Sequence, residues 1–278
     1  MELQALKTFQ AVVEEGGVIS ASRKLNTVQS NVTSRIKRLE EELGAELFYR
    51  KGRGLELAPQ GKVLLEYAKQ LLHLEKQAGT AVREAGENAG ELRIGSMETF
   101  AALKLPHSIK RLRDEFPQLH LSVHTDTSNP LAEAVLNYKL DCAFVSGAID
   151  HPDLVAEAVQ EETLVILHQK GTDITSLPLI LFKEGCAYRT RALDWQRERG
   201  EAYASKMELG SLDGILSCVS MGLGYTIIPA WVIETCRFKK DLEIDYLPDH
   251  IAQMTTHLIR HKNTTSLKAI QAMIDVYR

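Results

Sequence analysis

The chain lacks any uninterrupted apolar run near the roughly 18 residues that crossing a bilayer requires, so no membrane span is expected. Its first residues, Met1-Glu2-Leu3-Gln4, show no basic stretch leading into an apolar one, and no secretory leader is expected either. Cysteine is scarce: Cys142, Cys186, Cys218 and Cys236 lie far apart, without C-x-x-C spacing. That argues against a disulfide scaffold or a zinc module and for a reduced, cytoplasmic protein. The nine histidines show no H-E-x-x-H or other metal spacing. There is no Gly-x-Ser-x-Gly elbow and no Gly-Lys-Ser/Thr phosphate loop. Gly222-x-Gly224 follows a helical pattern rather than a strand and lacks a third glycine, so it does not read as a dinucleotide loop. These absences leave no catalytic centre, metal site or cofactor to expect.

What is present fits a soluble protein of two domains. The chain has 278 residues, 44% of them hydrophobic and 25% charged. The net charge of -4 hides a local asymmetry, because Ser20–Leu39 carries Arg23, Lys24, Arg35, Lys37 and Arg38 and no acidic residue. Binding to a polyanion depends on the local basic face, not on the whole-chain charge.

Three stretches differ in character, without repeats or low complexity. In residues 1–58, Leu3, Leu6, Phe9 and Val13 recur at helical spacing up to Gly16-Gly17. A second helix is expected over Ile19–Leu25, and a break at Asn26-Thr27 introduces a third. There Val32, Ile36, Leu39 and Leu43 form one buried stripe, and the opposite face offers Gln29, Ser30, Thr33, Ser34, Lys37 and Arg38. Short hydrogen-bonding groups near a helix N-terminus, with cations beyond them, suit base edges and phosphates of a DNA major groove. After Gly44, two short apolar runs flank Lys51-Gly52-Arg53-Gly54, a basic hairpin suited to backbone or minor-groove contact. The candidate DNA-binding residues are Arg23, Gln29, Ser30, Asn31, Thr33, Ser34, Arg35, Lys37, Arg38, Arg50 and Arg53.

The runs Ser20-Ala21-Ser22-Arg23-Lys24-Leu25, Gln29-Ser30-Asn31-Val32-Thr33-Ser34-Arg35-Ile36, Leu39-Glu40-Glu41-Glu42-Leu43-Gly44 and Leu47-Phe48-Tyr49-Arg50, with Arg53, Leu57, Pro59 and Gly61, closely resemble the N-terminus of LysR-type transcriptional regulators. The resemblance extends over the chain in length and domain order and is strongest in residues 1–65. Gly17 and Ala58 stand where that family usually has serine and threonine, which implies weaker helix capping there.

Residues 59–88 read as one long helix in which Leu64, Tyr67, Leu71, Leu74, Ala78, Ala81 and Ala85 follow at spacings of three and four. That rhythm is a coiled-coil seam, and a lone helix of this length is marginal in water, so the stripe needs a partner: a second copy in a homodimer is expected, with packing against its own chain as the alternative. The resemblance implies the same, with pairs of dimers as homotetramers.

Residues 89–278 alternate β-rich runs with helical patterns, so an α/β domain is expected. Strands are expected at Glu91–Ser96, at Leu119–Val123 with one buried face, at Asp141–Ser146 and at Leu179–Phe182, with helices at Thr99–Phe116 and Thr265–Tyr277. Ligands bind at the carboxyl ends of parallel strands. That points to Ser96, Met97, Glu98, Thr99, Ser128, Asn129, Ser146 and Gly147, and in the loop after Phe182 to Cys186 and Arg189, whose guanidinium suits a carboxylate. A thiolate at Cys186 stabilised by Arg189 would suit redox sensing, and a buried thiol would not. The resemblance implies a two-lobed periplasmic-binding-protein-like effector domain, with lobe 1 over about 91–160 and 263–278 and lobe 2 over about 161–262.

The fold expected is an all-α winged helix-turn-helix at 1–58, a linker dimerisation helix at 59–88 and an α/β effector-binding domain at 89–278. The function expected is sequence-specific transcription regulation, modulated by a small, anionic metabolite in the cleft. The partners expected are double-stranded DNA, that effector and a second copy of the chain. A transport-type solute-binding protein would leave 1–58 without a use, and an enzyme with a DNA-binding tether would have to turn a ligand over.

Overall fold

In the computed structural model the chain divides into two units, Met1–Gly86 and Glu87–Arg278. Residues 1–51, 54–85, 90–200, 205–264 and 268–277 are described, with backbone alone at 50, 51, 54, 80, 81 and 83–85.

The first unit opens with α1 (Leu3–Glu14), whose Leu6, Phe9 and Val12 face inward at helical spacing. Next come α2 (Val18–Lys24) and α3 (Gln29–Leu43), separated by a turn in which Asn26 takes φ 48°. Gly17 caps α2 without a side-chain hydrogen bond. Val32, Ile36 and Leu39 of α3 are buried against α1, but Leu43, expected in the same stripe, is 41% exposed one turn further out. Gly44 ends the helix in the left-handed conformation (φ 65°). The hairpin β1 (Phe48–Lys51) and β2 (Gly54–Leu57) pairs Phe48 with Leu57, and α4 (Pro59–Ala85) follows. Proline suits the first helical position because an amide there has no partner within the helix.

The seam expected on α4 divides in two. Leu64, with Ala68, belongs to the core of this unit, among Leu6, Phe9, Leu39 and Leu47. Tyr67, Leu71, Leu74 and Ala78 face outward, Tyr67 and Leu74 being about 60% exposed. Ala81 and Ala85 lie outside the described side chains.

The second unit runs β3 (Glu91–Ser96), α5 (Glu98–Leu103), α6 (Leu105–Glu115), β4 (His120–Thr125), α7 (Ser128–Leu136), β5 (Cys142–Ser146) and β6 (Leu154–Gln169). It continues through β7 (Leu179–Leu181), α8 (Ala187–Glu198), β8 (Lys206–Glu208), α9 (Leu212–Ser220), β9 (Thr226–Pro229) and β10 (Leu242–Tyr246). The last elements are α10 (Asp249–Ala252), β11 (Gln253–His261) and α11 (Lys268–Ile274). The sheet order is β10-β6-β11-β5-β3-β4, with β9 also on β6. Strands β4, β3 and β5 are parallel, and β6 and β11 run antiparallel to one another.

Two cores make two lobes. One holds Leu92, Ile94, Phe100, Phe144, Val159, Leu258 and Ile270, and the other Leu164, Ile166, Ile180, Trp195, Ile215, Ile228 and Met254. The chain crosses between them on β6 near Gln160–Leu164 and returns on β11 near Met254–Leu258, earlier than the 262–263 expected. The register of β11 on β6 shifts between Thr256 and His257, at that return.

Two sequence expectations change here. The helix over Thr99–Phe116 is two helices, broken at Lys104 (φ -114°, ψ -47°). Pro106 is the cause, because it has no amide to donate and its ring clashes with the preceding turn. In β4 the one buried face is incomplete: Leu119 and Leu121 are half-buried, but Val123 is 43% exposed on what is an edge strand of this chain. No described helix is long and apolar enough to cross a membrane.

Candidate functional site

Two surfaces carry the candidate residues, one in each unit. On α3, Gln29, Ser30, Asn31, Thr33, Ser34, Lys37 and Arg38 are exposed opposite the buried stripe, and Arg23 is exposed on α2. Arg35 is half-buried and lines a crevice with Glu2, Arg38 and Glu42. Val28, the N-cap, has no side-chain acceptor, so no side chain offsets the positive end of the helix dipole there. Lys37 and Glu41 are 3.8 Å apart with both side chains largely exposed, a pairing too solvated to hold the cation. Glu40 ties this helix to the hairpin: its Oε1 accepts from the amides of Leu47 (2.8 Å) and Phe48 (3.3 Å). The side chain of Arg50 and all of Arg53 lie outside the described residues.

In the second unit a cavity of about 180 Å³ opens where the lobes face each other. One wall comes from the ends of β3 and β4 and the start of α7: Met97, Glu98, Thr99, Thr125, Asp126, Thr127 and Ser128. The other comes from Phe182, Lys183, Cys186, Tyr188 and Gly210. Four polar contacts cross it. Lys183 pairs with Asp126 at 2.8 Å, Thr127 Oγ1 donates to the Glu184 carbonyl at 3.1 Å, the Asn129 amide donates to the Gly185 carbonyl at 3.4 Å, and the Leu212 amide donates to Glu98 Oε1 at 3.2 Å. Burial opposes ionisation of Asp126, yet the Lys183 ammonium and the Thr127 amide hold it below the ordinary range. Burial pushes Glu98 up, with the Leu212 amide opposing and Asp213 adding to the rise. Gly185 has φ 85°, and a Cβ there would stand 2.5 Å from Thr127 Oγ1, so only glycine lets the two walls approach this closely.

A buried network lies where the strands cross between lobes. Glu162 of β6, 1% exposed, accepts from Tyr188 Oη (3.0 Å), Thr256 Oγ1 (3.0 Å) and Ser146 Oγ (3.4 Å). Burial pushes its carboxyl above the ordinary range, against those hydrogen bonds. Tyr188 therefore joins the crossing to the cavity wall.

Met97, Glu98, Thr99, Ser128 and Cys186 thus lie on the cavity wall, and Ser96, Asn129, Ser146, Gly147 and Arg189 do not. Ser96 Oγ donates to the Met97 carbonyl, and Ser146 belongs to the Glu162 network. Arg189 is a correction. It lies inside α8, not in a loop, and is held by Glu208 at 2.5 Å and the Phe182 carbonyl at 2.8 Å, so its charge is already answered. The Cys186 thiol is pushed up by burial, the reverse of what a reactive thiolate needs. Sequence reading missed Asp126 and Lys183. Both follow strand ends, β4 and β7, where the rule for parallel strands looks for ligands.

The helix-turn-helix model of the lysR family ("Bacterial regulatory helix-turn-helix protein, lysR family") matches residues 3–62, and the model of the LysR substrate binding domain matches residues 85–278. The transcriptional regulator SoxR of Arthrobacter sp. (strain TE1826) is 38% identical, over 100% of this chain and 97% of its own. The transcriptional regulator GltR of Bacillus subtilis (strain 168) is 35% identical, over 99% and 95%. Among solved structures, full-length OxyR from Pseudomonas aeruginosa, a variant, superposes with a TM-score of 0.73 at 20% identity, covering 100% of this chain and 95% of its own. Full-length CbnR, solved with its target DNA, does so with a TM-score of 0.65 at 20% identity, over 100% and 99%.

Proposed function

The chain belongs to the LysR family of transcriptional regulators, and from that premise we propose which of its residues read DNA and which receive the effector. It is a DNA-binding regulator with an effector-binding domain, in a family of regulators rather than enzymes. Gln29, Ser30, Thr33 and Ser34 of α3 contact base edges. Arg23, Asn31, Arg35, Lys37 and Arg38 meet phosphates, with Arg50 and Arg53 of the hairpin on the backbone or minor groove. The observation that carries this reading is the exposed face of α3, polar at its N-terminal end and cationic beyond, opposite a fully apolar stripe. The outward row Tyr67, Leu71, Leu74 and Ala78 of α4 supports a homodimer, which presents two such helices to two half-sites, and a tetramer is a pair of those dimers.

The effector occupies the interlobe cavity, and Met97, Glu98, Thr99, Ser128 and Cys186 line it. At about 180 Å³ it is smaller than the roughly 300–1,000 Å³ of drug-sized pockets, which favours a small metabolite. A carboxylate on that metabolite would be received by the hydroxyls of Thr99 and Ser128. Arg189, held by Glu208, takes no part, and the Lys183 charge is answered by Asp126.

Arg35→Ala tests the DNA assignment. Operator affinity in a gel-shift titration should fall by about tenfold, the size of one charge-assisted contact to the backbone. Unchanged affinity would remove Arg35 from the interface.

A further inference from the structure

The charges on the effector cavity do not cancel. Asp126 and Lys183 answer each other at 2.8 Å, which leaves Glu98. Glu98 also borders a second cavity, of about 260 Å³, lined with it by Ala102 and Leu103 of α5, and there Asp213 and Arg237 answer each other at 2.7 Å. On either side, Glu98 is the charge left over among the described lining residues. Its Oε1 accepts from the Leu212 amide, but its Oε2 is buried and has no hydrogen-bond partner among the described residues. A carboxylate oxygen shut away from water without a donor is costly, because nothing replaces the hydration it lost. A half-satisfied carboxylate on a residue of the cavity wall matches a ligand that brings its own donors and a positive charge.

We propose that the effector carries a protonated amine, and that its ammonium binds the Glu98 carboxylate, whose side chain lines the cavity. The inference rests on the interlobe cavity being the effector site. An ammonium fits because it is compact and offers three donors, so it can satisfy Glu98 and still reach Thr99 on the same wall. An amino acid suits the cavity better than a simple carboxylic acid: its carboxylate meets the Thr99 and Ser128 hydroxyls and its amine meets the left-over charge. Occupation by a cation removes the penalty that burial places on ionised Glu98, so binding strengthens as pH rises through the titration of that carboxyl.

The test is calorimetric titration of the full chain with the L-amino acids and short alkylamines, each binder paired with the carboxylic acid that lacks its amine (alanine with propionate, for example). At least one amine should bind, with its amine-free partner at least about tenfold weaker, as expected for loss of a charge-assisted hydrogen bond. Glu98→Gln keeps an acceptor for the Leu212 amide, with folding checked by circular dichroism, and should weaken the amine by a similar factor. Glu98→Asp, which keeps the charge on a shorter arm, should recover part of the affinity. Equal binding of the amine-free acids, or amine affinity untouched by Glu98→Gln, would overturn the amine and leave the effector cavity standing. No binding by any compound of either kind would overturn both.

Discussion

The two units handle charge in opposite ways. In the first, Arg23, Lys37 and Arg38 of the candidate DNA surface stand in water, and the described buried residues, from Leu6 and Phe9 to Val32, Ile36 and Leu39, include no carboxylate. In the second, carboxylates sit inside: Glu162 is 1% exposed at the strand crossing, Asp141 is 6% exposed against Arg93, and Glu98 is half-buried on the cavity wall. A surface that meets a polyanion gains by keeping its charges solvated and free to redistribute counterions. A domain that must respond to one small molecule gains by holding a few charges where water cannot screen them, because there each contact is stronger.

The contrast breaks most visibly through the cores. Leu39→Ala removes a 1% exposed side chain shared by α1 and α3 and should cost about 2–5 kcal/mol in the first unit. Calorimetric melting should show one early transition with operator binding lost, while the transition of the effector unit stays in place. A common shift of both would mean that the two cores do not melt separately.

Glu162→Gln addresses the buried charge. Burial raises the folded-state pKa of Glu162 above its unfolded value, so in the window between them the folded chain holds more protons than the unfolded one. Stability therefore falls as pH rises through that window and stays lower above it. Glutamine cannot ionise, and the hydroxyls of Tyr188, Thr256 and Ser146 can reorient to it. Urea midpoints should favour the variant over the parent more at neutral pH than at about pH 4, near the unfolded value. A difference that does not change with pH would show that Glu162 ionises freely.

The smallest effect falls on the displayed charge. Lys37→Ala should change stability by no more than about 0.5 kcal/mol, as surface substitutions do. It should lower the slope of log affinity against log salt by about one, equally for operator and random duplex. A loss confined to the operator would place Lys37 on a base instead.

The same contrast decided what could be read from the residues alone. The helix-turn-helix was legible because its signals are local: Val32, Ile36 and Leu39 mark one face of α3, and the polar residues between them mark the other. The strand Glu91–Ser96 was legible for the same reason. The 16-residue β6 was not, because it changes partners along its length, pairing with β11 up to Thr163 and with β9 and β10 beyond. The cavity drew on segments near 97, 126, 183 and 210, and no short window holds that grouping. Arg189 misled because its partner, Glu208, lies 19 residues on in strand β8 and nothing in the surrounding residues announces it.

One carboxylate in the first unit has a metrical consequence. Because Glu40 grips the amides of Leu47 and Phe48, the hairpin starts at a fixed offset from the helix that carries Gln29 and Thr33. The pair acts as a caliper set to one opening. Base pairs step by about 3.4 Å, a displacement the two Glu40 hydrogen bonds cannot follow without breaking. If α3 and the hairpin both meet the duplex as proposed, an inserted or deleted base pair within a half-site has to be met by bending of the duplex, and tolerance of variable spacing belongs to the gap between half-sites.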